Sequence, residues 1–110
     1  MRKSAWEKNQ EELLRERAEV LGRAGEALAA ALADVDKIGR LITESIRAAG
    51  DDPDPETLLE INGEIRRYNR AREYAQLRFY YLIVTREAMG FRRHKAVEET
   101  YRIPPKKKYL

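Results

Sequence analysis

Apolar side chains recur along the first half of the chain with the seven-residue spacing that is typical of helix packing. Ser4 and Glu7 have the spacing of a capping box, and no proline occurs before Pro53. The pattern predicts one continuous helix over residues 4–49. Its expected seam comprises Leu14, Leu21, Leu28, Val35 and Ile42, with Ala18, Gly25, Leu32, Ile38 and Ile46 between them.

A cluster of glycine, aspartate and proline follows at residues 50–55 and predicts a tight turn. Asp54 and Pro55 suit the N-cap and first position of a new helix. Large side chains then recur in steps of three and four, which predicts a second helix over residues 55–89, ended by Gly90. Its expected seam comprises Leu58, Ile61, Ile65, Tyr68, Arg72, Ala75, Phe79, Leu82, Arg86 and Met89.

The short connection predicts antiparallel helices in which residues whose numbers sum to about 105 lie opposite each other. The alanine-rich residues 24–33 would then face the bulky residues 74–81, a packing of small against large side chains. A stripe of small residues also predicts a close approach between helices. The stripe consists of Ala18, Gly22, Gly25 and Ala29.

Beyond Gly90, the order of apolar and polar residues is compatible with a short third helix over residues 91–101, which Pro104 and Pro105 would end. Residues 102–110 form a basic, extended tail. We expect the tail to lie along a groove of its own or a neighbouring bundle. Its apolar side chains Ile103, Tyr109 and Leu110 should point inward and its lysines toward acidic surface, with residues 51–64 of a partner as one acceptor.

The predicted fold class is therefore all-α, with residues 1–110 forming one helical domain. We expect a long, coiled-coil-like antiparallel hairpin with a short C-terminal helix and the extended tail. The second helix carries a further apolar stripe outside its seam, and a two-helix hairpin covers only one side of each helix. This excess predicts a homodimer that forms a four-helix bundle, or binding of a partner protein's helix. The expected protein interface comprises Tyr74, Leu77, Tyr81, Val84 and Ala88.

Charge is distributed unevenly along the chain. Residues 51–64 carry six acidic side chains and no basic one, whereas residues 65–110 carry thirteen basic and four acidic side chains, a net +9. Arginines alternate with aromatic residues around Tyr68, a pattern found in proteins that bind nucleic acid. The residues that would contact a phosphate backbone are Arg66, Arg67, Arg70, Arg92, Arg93, Lys106, Lys107 and Lys108.

Catalytic chemistry finds little support in the sequence. His94 is the single histidine and there is no cysteine, so an ordinary zinc site would have to consist of carboxylates alone. We therefore expect no enzyme, no catalytic residues, no metal and no cofactor. The longest apolar run, residues 79–84, is far shorter than the roughly 20 residues needed to cross a bilayer, so we expect no membrane association. With no secretory signal, a cytoplasmic location is expected.

A long hairpin with Asn62 and Asn69 on its second helix resembles the export chaperones of flagellar and type III secretion systems. Those proteins shield a partner's amphipathic helix within a bundle. The resemblance concerns architecture, so it assigns no role to individual residues. The leading prediction is a non-enzymatic helical interaction protein, an adaptor, scaffold or export-chaperone-like protein that acts through protein–protein contacts. The alternative is a nucleic-acid-associated protein that uses the basic C-terminal half.

Overall fold

The computed structural model describes residues 2–110 as three helices in an elongated molecule of 75 × 23 × 17 Å. Helix α1 spans Ala5–Ala49, α2 spans Pro55–Ala88 and α3 spans Lys95–Thr100. No strand occurs within residues 2–110. The prediction of an all-α chain with two long helices packed against each other is confirmed, and neither helix is broken at its glycines. The dimeric four-helix bundle involves a second chain and stays a prediction.

Local side-chain contacts fix where the two long helices begin. The hydroxyl of Ser4 accepts a hydrogen bond of 3.1 Å from the backbone N–H of Glu7 at the start of α1. The carboxylate of Asp54 accepts one of 2.7 Å from the backbone N–H of Thr57 at the start of α2. This bond stabilises the charged carboxylate and lowers the pKa of Asp54 below its ordinary value. Gly50 ends α1 with a positive φ of 74°.

Helix α2 ends in a Schellman motif, and this ending shortens the third helix. Gly90 has a φ of 94°, its N–H donates to the carbonyl of Glu87, and the N–H of Phe91 donates to the carbonyl of Arg86. The Arg86 guanidinium lies 4.7 Å from the Phe91 ring centroid and donates to the carbonyl of Arg93. These contacts hold residues 91–94 in an irregular conformation, so α3 spans Lys95–Thr100 rather than the predicted 91–101.

The core is a single layer of side chains between α1 and α2. Gly39 lies against Tyr68, close to the predicted register, and a Cβ atom at position 39 would be 3.2 Å from the Tyr68 ring. The absence of a side chain at Gly39 therefore lets the Tyr68 ring lie close to α1, and a larger residue there would require the ring to shift by a few tenths of an ångström. The fully or nearly fully buried residues are Leu28, Ala31, Val35, Ile42, Ile61, Ile65, Tyr68, Ala75 and Leu82.

Two packing expectations from the sequence are wrong. The bulky tyrosines of residues 74–81 point away from the alanines of α1, and Tyr74, Tyr80 and Tyr81 are exposed. Ala75 and Leu82, both predicted seam residues, are buried in the core beside them. In the small-residue stripe, a Cβ atom at Gly25 would lie 3.3 Å from the Tyr101 hydroxyl, whereas Gly22 has open space beside it. Of the two glycines, one is thus approached by a side chain of the C-terminal segment and neither by a second helix.

The first part of α1 extends beyond the end of α2. All of residues 2–20 are exposed, because α2 ends at Ala88 and leaves nothing opposite them within the described chain. Leu14, predicted to lie in the seam, is 63% exposed. Trp6, Leu13 and Val20 continue the core-facing side of α1 into this overhang and are also exposed. The apolar seam of α1 is thus longer than the helix that covers it.

Leu28 offers a test of the core because it is fully buried, whereas Leu59 in α2 is 74% exposed. We expect Leu28→Ala to lower the free energy of unfolding by about 2–5 kcal/mol, since it removes buried methyl groups and leaves a cavity. Leu59→Ala, the matched control, should stay within about 0.5 kcal/mol of the parent. Urea unfolding followed by circular dichroism measures both, and equal losses would contradict the observed packing.

Candidate functional site

The tail, residues 102–110, turns back and runs along α2 toward the helix turn. Asn69 contacts Lys107 in two ways: its amide nitrogen donates to the Lys107 carbonyl at 3.0 Å, and its amide oxygen accepts from the Lys107 N–H at 2.9 Å. Asn62 repeats the arrangement with Leu110, at 3.4 Å and 2.8 Å. Residue numbers rise along the tail as they fall along α2, so the two segments are antiparallel.

The spacing of the two asparagines matches the spacing of the two tail residues. Asn62 and Asn69 are seven residues apart on a helix, which places them about 10.5 Å apart along its axis. Lys107 and Leu110 are three residues apart in extended chain, which covers about 9–10 Å. A planar amide presents one donor and one acceptor side by side, as a backbone residue does. The amides of Asn62 and Asn69 therefore hydrogen-bond to the main chain of the tail in the way that a neighbouring β-strand would.

A third contact anchors the beginning of the tail. The Arg72 guanidinium, at a predicted seam position, donates from Nε to the carbonyl of Pro104 at 2.6 Å. Ile103 is partly buried and packs against the core cluster. Lys106 lies 3.5 Å from a carboxylate oxygen of Glu73 in a surface ion pair, to which we assign little stability. The tail is thus held mainly by polar contacts to its backbone.

Tyr68 forms the floor of this groove. Only 6% of the residue is exposed, and the Lys107 ammonium lies 4.9 Å from its ring centroid, within the range of a cation–π contact. Burial raises the pKa of the Tyr68 phenol, Arg72 nearby lowers it and Asp36 raises it, with a net upward shift. The groove therefore favours a neutral phenol with a cation above it.

The structure corrects two parts of the tail prediction. Ile103 points inward as expected, but Tyr109 and Leu110 are 55% and 57% exposed. The tail was also expected to reach residues 51–64 only on a partner, yet Leu110 bonds to Asn62 of its own chain. The distance is covered because the tail is extended and α2 is not, so nine tail residues span a longer stretch than nine helical ones.

The predicted interface residues lie together on another face of α2, and we call this set the outer stripe. All five are exposed: Tyr74, Leu77, Tyr81, Val84 and Ala88. At 3.6 residues per turn, the outer stripe lies roughly 160° around α2 from the buried Ala75 side. The Arg78 guanidinium bonds the Tyr74 hydroxyl at 2.7 and 2.9 Å and lies 5.1 Å from its ring. The C-terminal segment does not cover the outer stripe.

The basic residues predicted to contact nucleic acid are dispersed. Arg66, Arg67 and Arg70 are exposed on α2, while Arg92 and Arg93 are exposed in the α2–α3 connection. In the tail, Lys108 is exposed, but Lys106 faces Glu73 and Lys107 covers Tyr68. The structure therefore places the eight residues in three parts of the chain, α2, the α2–α3 connection and the tail.

His94 contacts two side chains at the end of α2. Its Nδ1 accepts a hydrogen bond of 3.2 Å from Arg86, and its Nε2 lies 3.4 Å from a Glu87 carboxylate oxygen. These contacts tie residues 91–94 to the end of α2. Across residues 2–110, no group of three or more histidine, aspartate or glutamate side chains is placed to hold a metal ion. In that same range, no helix combines the length and apolarity required to cross a membrane.

Sequence reasoning assigned no binding role to Asn62, Asn69 or Tyr68. A signal was present, because asparagine is a poor helix former and two of them occur one heptad apart beside a buried seam. Arg72 gave a second signal, since a charged side chain at a seam position needs a polar partner. Neither signal names the tail as that partner, which requires the three-dimensional structure.

Comparison with protein-family models, with curated proteins and with solved structures gives no significant match.

The buried phenol of Tyr68 makes the free energy of unfolding depend on pH in the alkaline range. Its raised pKa means that the folded state keeps the phenol proton to higher pH than the unfolded chain, whose pKa is about 10. The corresponding stability is complete below about pH 10 and is lost as the pH rises through the folded-state pKa. We expect Tyr68→Phe to lose less stability than the parent as the pH rises above about 10. Urea unfolding at pH 8 and at pH 10.5 measures the difference.

Tyr80→Phe is the matched control, because Tyr80 is 61% exposed. Its stability should follow the pH dependence of the parent. The burial argument fails if the Tyr68 and Tyr80 variants respond to alkaline pH in the same way.

Proposed function

We propose that this protein is a non-enzymatic helical interaction protein, an adaptor or scaffold that works as a homodimer through the outer stripe of α2. The observation that supports the proposal is the exposure of a continuous apolar face on α2 that no part of residues 2–110 covers. Aromatic side chains are enriched where proteins bind one another, and the outer stripe contains two tyrosines. The long axis of the hairpin supplies a rigid platform for such contacts.

Size complementarity favours a second copy of this chain as the occupant of the outer stripe. A two-fold interface brings the same patch of both subunits together. If two α2 helices cross in antiparallel fashion at Tyr81, then Tyr74 of one copy lies opposite the small Ala88 of the other. Leu77 then lies near Val84. Tyr74 thus meets a small side chain, Leu77 and Val84 form an apolar pair, and the two copies of Tyr81 meet at the centre of the contact.

Arg78 prepares the outer stripe for such a contact. Its guanidinium bonds the Tyr74 hydroxyl and lies beside the Tyr74 ring, which restricts the rotamers of that ring before binding. Less side-chain entropy is then lost when a partner docks. Together, the two copies would form the four-helix arrangement that an isolated hairpin lacks.

Replacing Tyr81 and Val84 with aspartate should dissociate the dimer, because each subunit would bury unpaired charges in an apolar contact. We expect analytical ultracentrifugation to give twice the chain mass of 12.8 kDa for the parent and the single mass for Tyr81→Asp/Val84→Asp. The control is Ala30→Asp/Ala33→Asp, which adds the same charges at the same spacing on an exposed face of α1. The control protein should remain dimeric.

Three outcomes contradict the proposed homodimer. A variant that sediments like the parent removes the outer stripe from the interface. A monomeric parent that purifies with another protein points instead to a chaperone or adaptor for that partner's helix. Nucleic acid in the purified protein, detected by its absorbance at 260 nm, favours the alternative role for the basic C-terminal half.

A further inference from the structure

We infer that the groove of α2 beneath the tail is a binding site for an extended, lysine- or arginine-rich segment of a partner protein. Residues 102–110 occupy this site within the same chain and must be displaced by the partner segment. The tail contacts residues 62–73 of α2, roughly 100° around the helix from the outer stripe at residues 74–88, so the inference does not depend on the proposed dimer.

The groove recognises main chain, which any extended segment offers. Asn62 and Asn69 each bond both the N–H and the C=O of one tail residue, Leu110 and Lys107. Hydrogen bonds of this kind do not depend on the side chain of the residue held. The side chains of Tyr109 and Leu110 remain more than half exposed. If the tail served only to cover the core, it would bury the side chains of Tyr109 and Leu110. The tail is therefore held in the groove by its backbone rather than by these two apolar side chains.

The side-chain contacts define the chemistry of the ligand. One position of the bound segment places a cation over Tyr68, as Lys107 does, and the preceding position faces Glu73, as Lys106 does. Near the start of the segment, an aliphatic residue packs on the core and its neighbour offers a carbonyl to Arg72, as Ile103 and Pro104 do. The site thus fits an aliphatic residue followed by a short extended basic run.

The groove continues past the position where the tail stops contacting it. Leu110 lies beside Asn62, and α2 extends a further seven residues to Pro55, about 10 Å at 1.5 Å per residue. The turn there carries Asp51, Asp52 and Asp54, within a stretch of six acids and no base. A basic segment that continues along α2 beyond Asn62 would bring lysines to this acidic end. Charge complementarity therefore favours a partner segment with basic residues on both sides of the Asn62 position.

Occupation by the tail makes the site self-inhibited. A ligand tethered to its own receptor by a short connection has an effective concentration in the millimolar range. A free segment of equal intrinsic affinity competes poorly against it. A basic segment that extends toward Asp51, Asp52 and Asp54 gains contacts that residues 102–110 do not make and therefore competes better. Weakening the contacts of residues 102–110 also favours binding of the free segment.

The test uses full-length protein and a fluorescent peptide with the sequence of residues 102–110, blocked at both ends, read by anisotropy. In Lys106→Glu/Lys107→Glu the groove is intact but the tail is repelled by Glu73 and loses its cation over Tyr68. We expect this variant to bind the peptide at least about tenfold more tightly than the parent. A peptide lengthened by four lysines should bind more tightly still, and neutralising Asp51, Asp52 and Asp54 should abolish that added affinity.

Adding Asn62→Leu/Asn69→Leu to the tail variant should reduce peptide binding at least about tenfold, because four main-chain hydrogen bonds are lost. Asn9→Leu is the control, since Asn9 is exposed on the α1 overhang, and it should leave binding unchanged. Circular dichroism verifies that each variant keeps its helices. The chain has three asparagines, so the shifts of the Asn62 and Asn69 side-chain NH₂ signals on peptide addition report the site directly.

Equal peptide affinity of the parent and the tail variant overturns self-inhibition, and binding unaffected by the Asn62→Leu/Asn69→Leu change overturns the site. If Asn62→Leu/Asn69→Leu in the parent converts a dimer to a monomer, the groove holds the tail of a second copy and the partner inference fails. Tyr81→Asp/Val84→Asp combined with the tail variant should still bind the peptide, which separates this inference from the proposed dimer.

Discussion

Two antiparallel helices joined by a short turn can bury only the sides that they present to each other, and every other feature of this protein follows from that constraint. The buried layer is one side chain thick and leaves most of each helix exposed. The length of the buried layer is limited by α2, the shorter helix, because α1 extends beyond the end of α2. A hairpin with apolar residues beyond that layer must cover them with another element of the chain or with another molecule.

The C-terminal segment supplies part of that cover, and it does so by polar contacts. Two arginines sit at predicted seam positions of α2, where long charged side chains would be costly if buried alone. Arg72 bonds the tail and Arg86 bonds the α2–α3 connection, so each charge lies at the edge of the core beside carbonyl oxygens. The two arginines interrupt the apolar seam between the helices and so weaken it. They also supply the hydrogen-bond donors that hold the C-terminal segment against α2.

The helices could be predicted from sequence because their signals are local. Ser4, Asp54, Pro55 and the two glycines at the helix ends act within one turn of the residues that they cap, and periodic apolar spacing needs no partner to be recognised. The side of α2 that packs against α1 was harder to predict from sequence. A helix with apolar residues on several sides does not reveal which of them contacts the neighbouring helix. Ala75 and Leu82 are buried at their predicted seam positions, but the expectation that the bulky residues 74–81 would fill the space beside the alanines of α1 is wrong, because Tyr74 and Tyr81 are exposed. The tail contacts depend on residues up to 48 positions apart, beyond the reach of any local pattern.

The two exposed surfaces of α2 differ in the physical chemistry by which they would bind. The outer stripe offers area, aromatic rings and little polarity, so its contacts draw on the hydrophobic effect and require a complementary helix or apolar face. The groove beneath the tail offers amides, a guanidinium and one buried ring, so it requires an extended chain whose own N–H and C=O groups lack partners. An apolar face tolerates many apolar partners of the right shape, whereas paired amides demand a fixed spacing along an unfolded segment. One helix would thereby present a surface suited to folded proteins and another suited to unstructured ones, on two faces roughly 100° apart around its axis.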